Sequence, residues 1–201
     1  LTEDKRMLGY GVMTPYSNIF CFATTRRGGF SKGDYASFNC TPYTGDDAES
    51  VRRNQELLCN SMPQQPKELV IPFQTHGTKV EVIDEKYLNA TSDERTAMLQ
   101  GVDALITKEP GCCICISTAD CIPILLYDRK SQVVAAAHAG WRGTVNYIAG
   151  HTLDRMRALY GTDGKDVIAC IGPGISSPSF EVGEEVYEAF RMNGFAMDYI
   201  S

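Results

Sequence analysis

Four short apolar runs crowd into the stretch between residues 103 and 137: DALIT (103–107), GCCICIS (111–117), IPILLY (122–127) and VVAAA (133–137). Runs this short read as strands, and their apolar residues fall at odd and even positions alike, so neither face of the resulting sheet meets water. A chain with such a block needs elements that cover both sides of a sheet. With 201 residues, 43% of them hydrophobic and 22% charged, it has enough material for one core and too much apolar content for disorder. No fixed-period repeat, low-complexity tract or Pro/Ser linker interrupts it, so a single domain over 1–201 is expected.

The covering elements are legible on either side of that block. Residues 19–24 (IFCFAT) have strand composition and run into the tight loop Thr25-Arg26-Arg27-Gly28-Gly29-Phe30-Ser31. Residues 47–60 place Val51, Leu57 and Leu58 among charges, with acidic residues in the first turn, as a helix prefers. Residues 68–73 and 79–84 flank Gln74-Thr75-His76-Gly77 and read as strand, tight turn, strand, whereas 87–101 lacks periodicity and reads as a surface loop or short helix. From Thr144, the spacing of Val145, Ile148, Leu153, Met156 and Leu159 predicts an amphipathic helix ending by Gly161. A strand over 166–171 and a helix over 184–193, closed by Gly194, complete a mixed α/β order.

Charge and composition exclude several function classes. The net charge of −6 argues against a surface that tracks the phosphates of duplex nucleic acid. No apolar run approaches the roughly 20 residues that span a bilayer, and the start, residues 1–8, is charged rather than signal-like, so a cytoplasmic protein without membrane attachment is expected. Eight cysteines are too sparse in a chain of this size for a disulfide framework, and they are expected to be reduced.

There are only three histidines, so the position of each is informative. His151 falls mid-helix, off the apolar stripe, and reads as a solvated surface residue. His76 and His138 each follow a strand-like run and stand next to glycine or a small residue and glycine, where loops carry functional groups. Cys121 shares that setting in Ser117-Thr118-Ala119-Asp120-Cys121. Separations of 45 and 17 residues rule out a local finger, so the fold must bring the three together. Assembled, two imidazoles and one thiolate give three zinc ligands and leave the fourth tetrahedral position for water, as in a catalytic rather than a structural site. Unassembled, they are two turn histidines and a core cysteine.

Gly140-Trp141-Arg142-Gly143-Thr144 opens the long helix, where free N–H groups favour an anion and Arg142 or Arg26 adds a bidentate fork; the alternative is a tight turn with Trp141 in the core. Gly172-Pro173-Gly174 lacks the third glycine of a dinucleotide fingerprint. Asp120 and Glu181 are carboxylates in apolar sequence surroundings, suited to proton transfer or to support of a ligand, or equally to capping a turn.

Six motifs, in order, carry a resemblance. Thr25-Arg26-Arg27-Gly28-Gly29-Phe30-Ser31, Gln74-Thr75-His76-Gly77, Asp103-Ala104-Leu105-Ile106-Thr107, Thr118-Ala119-Asp120-Cys121-Ile122-Pro123-Ile124, His138-Ala139-Gly140-Trp141-Arg142-Gly143 and Ile171-Gly172-Pro173-Gly174-Ile175 are similar to those of the YfiH family, also called the polyphenol oxidase or laccase-domain family. The resemblance implies a four-layer α/β/β/α sandwich with mixed sheets. It implies a zinc-dependent purine nucleoside phosphorylase that takes a purine nucleoside and phosphate, acts on adenosine, inosine and methylthioadenosine, and also deaminates adenosine. It further implies His76, Cys121 and His138 as the metal ligands. Family members continue into a segment with Cys-Thr and an Arg-Arg pair; this chain is expected to lack it, with a less complete pocket.

In that scheme Asp120 or Glu181 moves the proton to departing ammonia, and Arg26 or Arg142 holds the phosphate that attacks C1′. Three rival readings remain, two of which use the same residues. The laccase name suggests copper, but three histidines are too few for a trinuclear cluster. A metal-free hydrolase of an amide or cell-wall peptide would use Cys121 as nucleophile and His138 as base. A catalytically silent binding protein would keep only the fold. Monomer and homodimer are equally compatible with the sequence.

Overall fold

The computed structural model describes residues 6–199; residues 1–5 of the charged start lie outside the described residues, as do the last two. In chain order the elements are β1 (Met7–Gly9), β2 (Phe22–Thr24), α1 (Ala48–Asn60), β3 (Glu68–Val70), β4 (Lys79–Val82), α2 (Glu85–Asn89), α3 (Ser92–Met98), β5 (Val102–Thr107), β6 (Cys112–Ile114), β7 (Ile122–Asp128), β8 (Val133–Ala139), α4 (Trp141–Val145), α5 (Ile148–Tyr160), β9 (Val167–Ile171) and α6 (Glu184–Met192). The expected mixed α/β class with mixed sheets is present. One five-stranded sheet runs β4-β5-β8-β7-β9, with β4 parallel to β5 and the other pairs antiparallel. Two small sheets join it: β1 antiparallel to β2, and β3 parallel to β6. Among the described residues no helix is long and apolar enough to cross a membrane.

Three of the four apolar runs became β5, β7 and β8 of the main sheet, both faces of which are covered. On one face Ala104, Ala137 and Ala139 are small enough for α5 to approach, and Ile148 fills the space over them. Ile106, Leu126 and Ala135 continue that face beneath Met156. On the other, Leu105 packs with Val70, Ile83, Tyr87 and Leu99, while Tyr127 and Cys170 pack with Met13. The stripe of α5 differs from expectation: the buried positions are Ile148, Thr152 and Met156, and Leu159 is exposed. Thr152 is tolerated there because its hydroxyl donates to the Ile148 carbonyl at 2.8 Å.

Other departures bear on the site. The expected strand, turn, strand unit over 68–84 is not a hairpin, because β3 pairs with β6 and β4 with β5, so the turn containing His76 crosses from one sheet to another. The fourth apolar run joins β3 in the small sheet. The helix expected from Thr144 is split, since Tyr147 adopts a left-handed conformation (φ +59°) between α4 and α5. The stretch 87–101, expected as a loop or short helix, does hold short helices, the end of α2 and all of α3, the latter closed by a capping box between Thr91 and Glu94. α1 begins as expected, with the Asp47 carboxylate accepting the Ser50 amide.

The β7–β8 turn supplies a stability test. Asp128 is buried, and its Oδ1 accepts the Lys130 and Ser131 amides at 2.9 and 3.0 Å. Burial by itself pushes its carboxyl up, but hydrogen bonds from Ser131 and Lys130 help outweigh it and hold the group below its ordinary value. Asp128→Ala is expected to cost about 2 kcal/mol by leaving these amides without an acceptor. Because the native pKa is lowered, this contribution is complete above the ordinary carboxylate range, near 4, and fades as pH falls through the native value. Denaturant melts of both proteins should show the difference shrinking on acidification; a gap independent of pH would contradict the assignment.

Candidate metal centre

Strand register builds the site. β5 and β8 pair with Ala104 opposite Ala137, so the next residues outward set Asp103 beside His138. β7 and β8 pair with Pro123 opposite His138, and Cys121, two residues ahead of Pro123, leaves the sheet on the same face. His138 therefore lies inside β8 rather than in the loop after it, because the strand runs two residues past the apolar run VVAAA. His76 arrives from the turn between β3 and β4 with a left-handed backbone, φ +61°. The ligand atoms of His76, Cys121 and His138 lie within 4.8 Å of one another, and the two imidazole rings meet edge to face with centroids 4.7 Å apart.

The cluster has a closed side and an open one. His138 is 3% exposed, Cys121 is half-buried, and His76 faces solvent. Gly140 forms part of the wall: a Cβ there would stand 2.9 Å from Cys121 Sγ and 3.0 Å from His76 Cδ2. Gln74 clasps the two loops together, its Nε2 donating to the Ser117 carbonyl at 2.9 Å while its Oε1 accepts the Ser117 amide at 2.7 Å.

Behind the cluster sits Asp103, a residue that reading the sequence had not assigned to the site. It is fully buried, lies 2.8 Å from His138 Nδ1, and accepts the backbone amides of Thr75, His76 and Gly77. The sequence signals were a carboxylate heading the run DALIT and the place of that run among the six motifs of the resemblance, neither of which assigned Asp103 a role. Burial pushes the Asp103 carboxyl up, yet the hydrogen bonds from His138, Gly77 and Thr75 outweigh it and hold the group below its ordinary value. His76 is lowered, first by desolvation and then by the neighbouring His138, with Asp103 opposing and Arg142 adding. The Cys121 thiol is raised by burial and by the charges of Asp120 and Asp103.

Not every candidate from the sequence joins the cluster. Arg142 does: its charge reaches His76, and its guanidinium lies 4.2 Å from the centre of the half-buried Trp141 ring. Since α4 is a single short turn, the charge offered to an anion here is that guanidinium rather than a long helix dipole. Arg26 instead donates twice to the Ala36 carbonyl and lines a surface cavity with Arg27, Gly28, Ala36 and Ser37. Asp120 and Glu181 are both exposed, not in apolar surroundings. Asp120 adjoins the cluster through Cys121, whereas no hydrogen bond links Glu181 to it among the described residues. His151 is exposed on α5, as expected.

The donor set suits a divalent metal. Two imidazoles and a thiol converge, one imidazole is backed by a buried carboxylate, and one side is open. No other group of three or more such donors occurs among the described residues.

The sequence model of a family described as multi-copper polyphenol oxidoreductase laccase matches residues 20–200. The crystal structure of YfiH from Bacillus licheniformis, 27% identical, matches this fold with a TM-score of 0.84 over 94% of this chain and 70% of that one. The chain belongs to the YfiH family. A YfiH-family relative from Bacteroides thetaiotaomicron, named purine nucleoside phosphorylase, is 64% identical over 201 residues, all of this chain and 74% of the relative. Another, adenosine deaminase RL5 from an unknown prokaryotic organism, is 41% identical over 182 residues, 90% of this chain and 69% of the relative. These YfiH-family relatives bear enzyme names, and the chain is an enzyme of that family.

Proposed function

We propose that the chain is a zinc-dependent purine nucleoside phosphorylase that releases the base and ribose 1-phosphate from adenosine, inosine and methylthioadenosine, and that also deaminates adenosine. The observation that carries this reading is the convergence of His76, Cys121 and His138, in a chain 64% identical to a relative named purine nucleoside phosphorylase. These three residues would hold the metal, and zinc when bound supplies Lewis acidity. Arg142, exposed beside His76 and steadied by the Trp141 ring, receives phosphate as a planar fork and neutralises charge as the phosphate oxygen approaches C1′. Arg26 is the second choice, because two of its N–H groups already serve Ala36. Asp120, next to Cys121 and open to solvent, is better placed than Glu181 to pass a proton to departing ammonia.

The rivals are weaker on specific grounds. A raised Cys121 thiol disfavours a metal-free nucleophile, since the thiolate is the reactive form. With three histidines, one of them exposed on α5, this chain lacks the imidazoles of a trinuclear copper cluster. A cytoplasmic setting and a single domain over 1–201 remain our reading, on the sparse cysteines and the unbroken sequence.

The test is release of hypoxanthine from inosine and of adenine from adenosine, with and without phosphate, on protein of measured zinc content. Phosphate-dependent release by the zinc-loaded protein, lost in His76→Ala, is expected. A fully loaded protein that forms no base with phosphate would overturn the phosphorylase reading; turnover by metal-free protein, blocked by iodoacetamide, would favour the thiol hydrolase.

A further inference from the structure

We infer that Asp103 is the positioning residue of the centre, one buried carboxylate that sets the tautomer of His138 and holds the backbone delivering His76. The inference rests on the metal reading above only for its effect on metal and turnover. Asp103 Oδ1 lies 2.8 Å from His138 Nδ1 and 3.0 Å from the His76 amide, while Oδ2 accepts the Thr75 and Gly77 amides at 3.2 and 2.7 Å. An ionised carboxylate only accepts hydrogen bonds, so the proton on His138 belongs to Nδ1 and the bare nitrogen is Nε2, the ligand atom left to face Cys121 and His76.

The same carboxylate acts on the second imidazole through a different handle. His76 is a non-glycine residue with φ +61°, a conformation that persists only where surroundings enforce it. Three consecutive amides, those of Thr75, His76 and Gly77, turn inward onto Asp103 and enforce it. Register explains why position 103 can reach both: it neighbours His138 across the β5–β8 pair and lies under the turn that leaves β3. A carboxylate that merely capped this turn would have no need of His138.

Asp103→Asn separates the two roles. With its oxygen on the Thr75 and Gly77 amides the variant keeps two of the three backbone bonds, while its amide nitrogen, in place of Oδ1, leaves the His76 amide without an acceptor and donates to His138 Nδ1, which moves the imidazole proton to Nε2 and occupies the ligand atom. Nitrogen-15 spectra above pH 8 are expected to show His138 protonated at Nδ1 in the metal-free wild type and at Nε2 in the variant; three histidines make assignment tractable. Competition with a chelator should show zinc affinity reduced about 10–100-fold, and kcat should fall with the KM for inosine little changed. A wild-type His138 protonated at Nε2, or an Asp103→Asn protein with wild-type tautomer and zinc affinity, would overturn the inference. If the variant does not fold, the wild-type spectrum alone decides. If the wild type binds no zinc, the metal reading fails while the spectra still judge Asp103.

Discussion

His138→Ala is expected to remove zinc binding and to bring phosphorolysis below detection, and it should be the most destabilising of the ligand substitutions. His138 is 3% exposed and faces a fully buried carboxylate, so truncation leaves a cavity and takes one of four donors from Asp103. Leaving a buried carboxylate short of one hydrogen-bond donor costs about 1–3 kcal/mol, and the cavity left by the ring adds to it. His76 is exposed, so His76→Ala should lose activity with a far smaller stability change. Denaturant melts of both metal-free variants beside activity assays check the contrast. Equal stability losses would mean that the ring of His138 is not held as described.

Gly140→Ala is expected to disable the centre while leaving the fold intact. The backbone at Gly140, φ −71° and ψ 169°, suits alanine, so conformational strain contributes nothing and the effect is one of space. The new methyl would lie 2.9 Å from Cys121 Sγ and 3.0 Å from His76 Cδ2, closer than such contacts settle. His76, the exposed member, is the one that can yield, and its ring turns away from the other two donors. Zinc affinity should fall at least tenfold, turnover should fall with it, and the metal-free protein should lose only about 1–2 kcal/mol. Chelator competition and melts of the apo protein measure both; unchanged affinity would show that the three donors do not pack against Gly140.

The strands of the main sheet were legible because their apolar runs are short and buried on both faces, and the three donors because each stands near the end of such a run. Asp103 was not, since a carboxylate at the head of DALIT looks like a turn residue until register sets it beside His138. The false hairpin over 68–84 has a similar origin: both strands are three or four residues long and parallel to distant partners, which adjacency along the chain does not reveal. Asp120 and Glu181 looked enclosed because their sequence neighbours are apolar, yet those neighbours lie in loops that leave them in water as well: Ala119, Ile122, Phe180 and Val182 are all exposed. The break at Tyr147 is hidden in sequence because both flanking segments keep helical spacing.

The double clasp between Gln74 and Ser117 has a dynamic meaning. One side chain satisfies both backbone groups of a residue 43 positions away, so the loop carrying His76 and the loop leading to Cys121 share a single fastening. Local opening that frees one must break bonds holding the other, and the two arms fluctuate as one cooperative unit rather than as independent loops. A metal entering this centre would thus meet both arms in place or neither, and occupancy would tighten a segment of the protein that spans two sheets.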